Sequence, residues 1–342
     1  MRRFPLEVSP SRAVLLGDKI CCDGFHRDFK VRVQTHVHDD HMDGFDTSKG
    51  FQDILLSEPT RKLLVAEFNA DLDFRENIRV VKLGVWQKVN NEHVTLLSSG
   101  HILGGVQVAA ELSSRVKVGY SGDFQWPLEK VIQVDALVVD STYGSPKSIR
   151  KYSQADAEAR LLELVTSKLK HGPVHILSHR GTLQRALQLL SANVNCPLVC
   201  SPRLCAEVGV YRDFGYGIGT ILEMNSAAGK KVLLGKRYAR FYGKGDGFPV
   251  ELQTGTTVTL SAFMTQPNSP VMQFSDRSFT VALSNHADFN GTLEYIVKTG
   301  ASYVVTDNTR GGHAVELAQE IKARLGIEAR PSASHLSHEW GL

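Results

Sequence analysis

One short stretch of the sequence combines histidines and acids at a spacing that suits metal binding. Residues 35–44 read THVHDDHMDG and hold three histidines and three aspartates, directly after an alternating apolar run. Residues i and i+2 of an extended segment point to the same side, so His36 and His38 share a face at the strand end. Asp40 and His41 fall in the following turn, where they can hold a second cation. Imidazole and carboxylate ligands suit Zn²⁺, and a mixed nitrogen and oxygen set is typical of a catalytic site.

Three further strand-like segments end in residues that can bind a metal. His101 stands in a glycine-rich turn after an apolar strand, Asp123 follows a β-rich run, and Asp140 ends a fully apolar one. Each of these residues, taken alone, is equally typical of an ordinary turn. Loops that meet at one edge of a sheet assembly form ligand sites, so the four strand ends together favour a shared metal site.

The composition is that of a soluble globular protein with one large domain or two smaller ones. The chain has 342 residues, of which 42% are apolar and 22% charged, and its formal charge of +3 neither requires nor excludes a polyanionic partner. No apolar run approaches the roughly 18 residues of a membrane span, and the N-terminal residues lack the apolar core of a signal peptide. Five cysteines without a C-x-x-C pair argue against a disulfide framework. We therefore expect a cytoplasmic protein with no membrane partner.

The pattern of elements changes twice along the chain. Residues 1–34 alternate as antiparallel hairpins do, whereas strands alternate with helices from about residue 150, which predicts a parallel sheet. The predicted elements of that part are a helix capped by Ser153, strand 174–178, helix 182–191, strand 197–200 and helix 202–212. Short strands resume after residue 255. We therefore predict one domain from residues 1–150 and 256–342, interrupted by an α/β insertion at 151–255.

A basic run in the insertion has the composition of a nucleic-acid surface. Residues 226–245 contain six basic residues and no acid, with Tyr238, Phe241 and Tyr242 interleaved. Basic side chains bind phosphates and aromatic rings stack on unpaired bases. A solvated basic hairpin is the alternative interpretation. The residues expected to contact nucleic acid are Arg180, Lys236, Arg237, Arg240 and Lys244.

The ordered motifs resemble those of a known superfamily. The set consists of His36, His38, Asp40, His41, His101 and Asp123. It resembles the metallo-β-lactamase superfamily, whose fold is an αββα sandwich with metals at one edge of two packed sheets. Residues 139–144 (VDSTYG) and 284–288 (SNHAD) look like two additional motifs of the β-CASP nucleases. Residues 175–184 are similar to the strand-loop-helix of the β-CASP cap. The resemblance implies an α/β sandwich with an inserted α/β cap domain.

The resemblance also implies a metal centre with two zinc ions, for which Mn²⁺ is an alternative. The ligands implied for the first ion are His36, His38 and His101. The ligands implied for the second ion are Asp40 and His41, with Asp123 bridging the two. Such metals lower the pKa of a bound water and offset the charge of the transition state.

The implied catalytic residues are Asp40, Asp140 and His286. In the family a histidine at the position of His286 acts near the leaving group as a general acid, and Asp140 would orient it. One position departs from the family pattern, because strand 303–306 ends in Asp307 where relatives have a histidine. Asp307 is the expected ligand there. A ligand role for His313 and a weak second metal site are the alternatives.

The function expected from the sequence is a zinc-dependent nuclease that acts on single-stranded ends as an exonuclease. Relatives of the Artemis type also lack the third-motif histidine, which favours DNA over RNA as the substrate. The alternatives are an RNA-processing endo- or exoribonuclease, a small-molecule metallohydrolase and an inactive scaffold. The sequence leaves the oligomeric state open, and a homodimer is compatible with it.

Overall fold

The structure, a computed structural model, describes residues 4–68, 71–247, 254–262 and 267–333. Within these residues the chain has a mixed α/β fold with three sheets. Contacts divide it into two units. The first comprises the described parts of Met1–Val65, Asp71–Ile149 and His286–Leu342, and the second those of Ala66–Ala70 and Arg150–Asn285. Among the described helices, none has the length and apolar composition needed to cross a bilayer.

The first unit contains two sheets. The six strands of the first sheet lie side by side in chain order: β1 (Leu6–Val8), β2 (Val14–Leu16), β3 (Ile20–Cys22), β4 (Val31–Val33), β5 (Asp53–Leu56) and β6 (Ile78–Val80). The strands of the second sheet are β7 (Gln87–Val89), β8 (Glu92–Ser98), β9 (Val106–Glu111), β10 (Lys117–Tyr120), β11 (Ala136–Val139), β19 (Tyr303–Thr306) and β20 (Glu328–Pro331). Their order across that sheet is β20-β19-β11-β10-β9-β8-β7.

The two sheets of the first unit pack face to face across a shared apolar core. Val14 and Val33 of the first sheet belong to the same buried cluster as Val108 and Val138 of the second. The outer face of the second sheet packs on helices α7 (Phe289–Thr299) and α8 (Ala314–Leu325). Helix α1 (Phe45–Phe51) contacts β5 of the first sheet. Helices therefore contact both sheets of the first unit.

The second unit is a largely parallel sheet with helices in its connections. Its strands are β12 (Val174–Leu177), β13 (Leu198–Cys200), β14 (Leu222–Glu223), β15 (Ala239–Tyr242), β16 (Thr256–Leu260), β17 (Val271–Ser275) and β18 (Ser278–Val281). Their order is β14-β13-β15-β12-β16-β18-β17, and the β17–β18 pair is antiparallel. Its helices are α3 (Gln154–Lys168), α4 (Thr182–Asn193), α5 (Pro202–Asp213) and α6 (Ala227–Leu233). Helix α2 (Glu58–Phe68) belongs to the first unit up to Val65.

The boundaries of the second unit differ from the expected ones at one end. The alternating strands and helices expected between residues 153 and 212 are present, and α3 begins with a capping box between Ser153 and Asp156. Strand β16, however, pairs with β12 in this same sheet, and β18 pairs with β16. The unit therefore extends to Asn285 and not to residue 255.

The basic run at 226–245 is not a hairpin. It forms α6 and the strand β15, which lies between β13 and β12 in the sheet. Strands in the middle of a parallel sheet are covered on both faces. Tyr238, Phe241 and Tyr242 are accordingly buried, so their rings belong to the core and do not form a stacking surface.

A buried histidine next to this strand makes the stability of the second unit depend on pH. His175 of β12 is 2% exposed, and its Nδ1 lies 3.1 Å from the hydroxyl of Tyr242. Its Nε2 is buried without a hydrogen-bond partner in the described chain. Burial, together with the nearby Arg240, lowers the pKa of His175 from 6.5 to about 4.

Acid should therefore destabilise the second unit through His175. The unfolded chain binds a proton at this residue below pH 6.5 and the folded chain only near pH 4, so stability is lost as the pH falls between these values. We expect His175→Asn to remove about 2–3 kcal/mol of the stability change between pH 7.5 and 4. Chemical denaturation at both pH values measures it, with the exposed His171→Asn as the control. An unchanged pH dependence in His175→Asn would contradict this prediction.

Candidate metal centre

A buried arginine holds the loop that carries three of the histidines. Arg32 of β4 is fully buried, and its Nε and Nη2 donate to Oε1 of Gln34 at 3.0 and 2.7 Å. Its guanidinium also donates to Ser48 and to the carbonyl oxygens of His41 and Asp43. The guanidinium is a rigid group of donors, and it binds these loop carbonyl oxygens. The loop, and with it the histidine side chains, is therefore fixed relative to β4.

Three imidazoles and one carboxylate converge to form the first ligand set. The Nδ1 of His38 lies 3.1 Å from the Nε2 of both His36 and His101. Oδ2 of Asp123 lies 3.5 Å from Nε2 of His36 and 3.4 Å from Nε2 of His101. Ligands at the corners of a tetrahedron with Zn–N bonds of about 2.0–2.1 Å are about 3.3 Å apart. These four separations suit the ligands of one metal ion such as zinc, and all four atoms lie within 4.8 Å of one another.

The other oxygen of the same aspartate belongs to a second set. Oδ1 of Asp123 lies 3.2 Å from Nε2 of His41, which in turn lies 3.7 Å from Oδ2 of Asp40. Nε2 of His41 is buried and has no hydrogen-bond partner in the described part of the chain. A buried polar atom without a partner costs about 1–3 kcal/mol. A cation held by Asp40, His41 and Asp123 would satisfy this nitrogen.

A residue that the sequence analysis missed orients two of these histidines. Asp23, directly after β3, is fully buried and accepts hydrogen bonds from Thr35 N at 2.7 Å and Thr35 Oγ1 at 2.5 Å. It also lies 2.8 Å from Nδ1 of His41. Since the Thr35 hydroxyl donates to Asp23, its oxygen accepts the Nδ1 proton of His36 at 2.9 Å. In their neutral forms both histidines then present an unprotonated Nε2 to the site, which is the form a metal requires.

Three carboxylates surround His41 and favour its protonated form. Burial alone would lower the pKa of His41, but Asp123, Asp40 and Asp23 raise it to about 10. Burial would raise the pKa of Asp123, but His41 in particular holds that pKa well below its usual range. The pKa of His36 is lowered by burial and by His41. A metal that binds here at neutral pH therefore displaces the proton of His41.

His286 and Asp140 form a pair beside the first set. The Nδ1 of His286 lies 3.0 Å from Oδ2 of Asp140, and its Nε2 lies 3.8 Å from Oδ2 of Asp123. Oδ1 of Asp140 accepts hydrogen bonds from the amide and hydroxyl of Thr142. Burial would lower the pKa of His286, but Asp123 and Asp140 raise it. The pair can hold a proton at the edge of the centre, and with Asp123 its atoms also have the spacing of metal ligands.

Asp307 does not lie in either ligand set. Its Oδ1 accepts hydrogen bonds from the amide and hydroxyl of Thr309, and its Oδ2 accepts one from Arg310 at 2.5 Å. The ring of His313 is half-exposed and lies 3.9 Å from Glu316. The structure thus pairs Asp307 with an arginine and leaves six of the seven expected ligands together at the centre: His36, His38, Asp40, His41, His101 and Asp123.

Arg180 does not lie on an exposed basic surface. Its side chain is 10% exposed and forms ion pairs with Glu67 and, at 3.5 Å, with Glu207. These carboxylates neutralise its charge inside the second unit. Arg180 was expected to bind phosphate at the surface, and the structure does not place it there.

The other expected basic residues differ in exposure. Lys236, Arg237 and Lys244 are exposed. Arg240 is only partly exposed, and its guanidinium stacks over the ring of Tyr242 at 4.6 Å from the centroid. The exposed cations can contribute to a phosphate-binding surface, whereas Arg240 packs on the core.

Known proteins resemble this chain in part. No family model matches it. An "RNase J-like protein" from Methanocaldococcus jannaschii is 24% identical over 161 residues, which are 41% of this chain and 38% of that protein. A crystal structure of a protein of unknown function from Enterococcus faecalis V583 has a TM-score of 0.57 and 13% identity. The match covers 83% of this chain and 76% of the Enterococcus faecalis chain, and the likeness concerns the fold.

A further relative is similar over most of its own length. The protein described as "Uncharacterized protein in lig 3′region" from Acidianus ambivalens is 30% identical over 127 residues. The match spans 36% of this chain and 90% of that protein. This chain belongs to the same family as the Acidianus ambivalens protein.

Proposed function

We propose that this chain is a metal-dependent nuclease that hydrolyses phosphodiester bonds of nucleic acid with two metal ions, Zn²⁺ or, in its place, Mn²⁺. The observation that carries the proposal is the position of the Asp123 carboxylate. One oxygen lies 3.4–3.5 Å from Nε2 of His101 and His36, and the other lies 3.2 Å from Nε2 of His41. A shared carboxylate suits a pair of cations a few ångströms apart, the arrangement that serves in-line displacement at phosphorus.

The fold and one relative support this proposal. The two packed sheets of the first unit, with helices on the second of them, suit a metallo-β-lactamase domain, and the largely parallel second unit suits a β-CASP cap. The name of the "RNase J-like protein" is that of a nuclease. A small-molecule metallohydrolase would have no evident use for the exposed cations of the second unit.

The residues of the centre have separate roles in this proposal. His36, His38 and His101 would hold one ion, Asp40 and His41 the other, and Asp123 both. The bound ions would supply a water of lowered pKa and offset the negative charge on the phosphate. Asp23 and Thr35 keep the protons of His41 and His36 on Nδ1, so that both residues face the centre with Nε2.

His286 would act as the general acid. Its Nδ1 proton is held by Asp140 at 3.0 Å, which leaves Nε2 to carry the proton that the departing oxygen needs. Its pKa is raised, mainly by Asp123 and then by Asp140 against the effect of burial, which favours the protonated ring. Asp140 positions the ring.

For the substrate, we propose single-stranded ends, with exonucleolytic cleavage and DNA as the preferred nucleic acid. Lys236, Arg237 and Lys244 are exposed and suit contacts to the phosphate backbone, which carry no base specificity. The aromatic residues of the same run are buried, so binding at this face would be electrostatic. The name of the RNase J-like relative favours the second candidate, an RNA-processing nuclease of the same mechanism.

Cleavage of end-labelled strands tests the proposed function. We expect the purified chain with Zn²⁺ or Mn²⁺ to shorten DNA or RNA of equal sequence, with 5′-phosphate or 5′-hydroxyl ends compared side by side. Asp40→Asn should abolish cleavage because it removes a ligand charge. Asp46→Asn, at a side chain that is 93% exposed, should leave it intact. Intact DNA and RNA at every metal concentration would refute the proposal.

Loss of the general acid should slow hydrolysis without removing the metals. We expect His286→Ala to lower kcat by about 10²–10⁴-fold. Asp140→Asn should move the alkaline limb of the pH–rate profile to lower pH, because the carboxylate supports the proton on His286. The control is His313→Ala, whose ring is half-exposed and lies beside Glu316. Equal activity of His286→Ala and His313→Ala would exclude this role.

A further inference from the structure

Arg310 binds the main chain on which the second ligand set is built. Its side chain is 7% exposed. Nε donates to the carbonyl oxygen of Asp40 at 3.1 Å. Nη2 donates to the carbonyl oxygens of Arg12 at 2.7 Å and Asp23 at 3.2 Å. One guanidinium therefore contacts the backbone of a proposed ligand and the backbone of the residue that orients His41.

Asp307 occupies the remaining side of the same guanidinium. Nη1 of Arg310 donates to Oδ2 of Asp307 at 2.5 Å, while Thr309 saturates Oδ1. A buried cation needs an opposite charge nearby, and Arg310 receives it from this carboxylate. Asp307, at the position where the sequence suggested a metal ligand, thus serves the arginine.

The contacts of Arg310 complement those of Arg32, the other buried arginine beside the centre. Asp40 and His41 lie in one short 3₁₀ turn, Asp39–His41, whose consecutive carbonyl groups are bound from different parts of the chain. Nη2 of Arg32 binds the carbonyl of His41 at 3.0 Å, and Nε of Arg310 binds that of Asp40. Fixing both carbonyl groups fixes the directions in which the two ligand side chains leave the turn.

We infer that Arg310 is the positioning residue of the second metal ion and that Asp307 is its counter-ion and not a ligand. The inference rests on the two-metal centre proposed above. Arg310 binds the carbonyl oxygens of Asp40 and Asp23. Asp40 is a proposed ligand of the second ion, and Asp23 orients His41, which is the other ligand of that ion.

Zinc binding by the metal-stripped full chain tests the inference independently of activity. The titration competes Zn²⁺ against a chromophoric chelator and resolves the two affinities. Arg310→Met should weaken the second ion by about 10–100-fold, the usual effect of removing an outer partner of a ligand, and leave the first unchanged. Arg310→Lys should weaken it in the same direction, because an ammonium cannot bind both carbonyl groups and Asp307 at once. Asp307→Asn keeps an oxygen acceptor for Arg310 but removes its counter-charge, so it should lower the free energy of unfolding and still bind both ions as the wild type does.

Three results would overturn the inference. Loss of the second ion in Asp307→Asn would indicate that Asp307 is a ligand. Wild-type zinc affinities in Arg310→Lys would show that the planar guanidinium is not needed. Equal weakening of both ions in a folded Arg310→Met, with folding checked by circular dichroism, would indicate a general structural role. If Arg310→Met does not fold, the other two variants decide. A wild-type chain that binds fewer than two ions would overturn the two-metal centre as well.

Discussion

The buried carboxylate of Asp23 organises the centre. It accepts three hydrogen bonds, two from Thr35 and one from Nδ1 of His41, and so keeps its charge in a fully buried position. Burial would raise its pKa, but His41 and then Arg310 lower it, and the group stays ionised. Through these bonds it fixes the tautomers of His36 and His41, and with them the nitrogens that a metal can reach. Without this anion, the direction in which both histidines donate would be undetermined.

The two packed sheets bring the groups of the centre together from distant parts of the chain. Asp23 follows β3, Asp123 follows β10, and Asp140 follows β11. The core between the sheets sets the distance between their edges, because the side chains on the two inner faces interdigitate. The position of Asp123 between the two groups of histidines therefore depends on apolar packing as much as on its own charge.

The grouping of these histidines and aspartates was predictable from the sequence because their signals are local. The two-residue spacing of His36 and His38 follows from strand geometry, and His101 and Asp123 each end a recognisable apolar strand. The pairing of Asp140 with His286, 146 residues later, followed from the resemblance and is present at 3.0 Å.

The supporting groups have no such signal. Asp23 precedes a glycine and looks like an ordinary turn residue. Arg310 lies in a loop, and the carbonyl oxygens that it binds, those of Arg12, Asp23 and Asp40, are all distant in sequence. Asp307 looked like a ligand because its partner Arg310 could not be identified before folding.

The second unit shows another limit of local patterns. The mixture of basic and aromatic residues at 238–242 has the composition of a surface, yet the strand lies inside a parallel sheet. The long side chain of Arg240 is compatible with this position, because it is only partly exposed and its guanidinium stacks over the ring of Tyr242. The short strand β16 likewise does not reveal which sheet it joins, so the boundary was expected near residue 255.

The central claim is that the carboxylate of Asp123 is shared by two metal ions. Counting zinc per chain by elemental analysis, in wild type and in Asp123→Asn, tests it most directly. Asp28→Asn, at a side chain that is 77% exposed, serves as the control. We predict two ions in the wild type and in the control, and one in Asp123→Asn, because an amide does not bridge two cations as a carboxylate does. Two ions retained by Asp123→Asn, or none bound by the wild type, would contradict the claim.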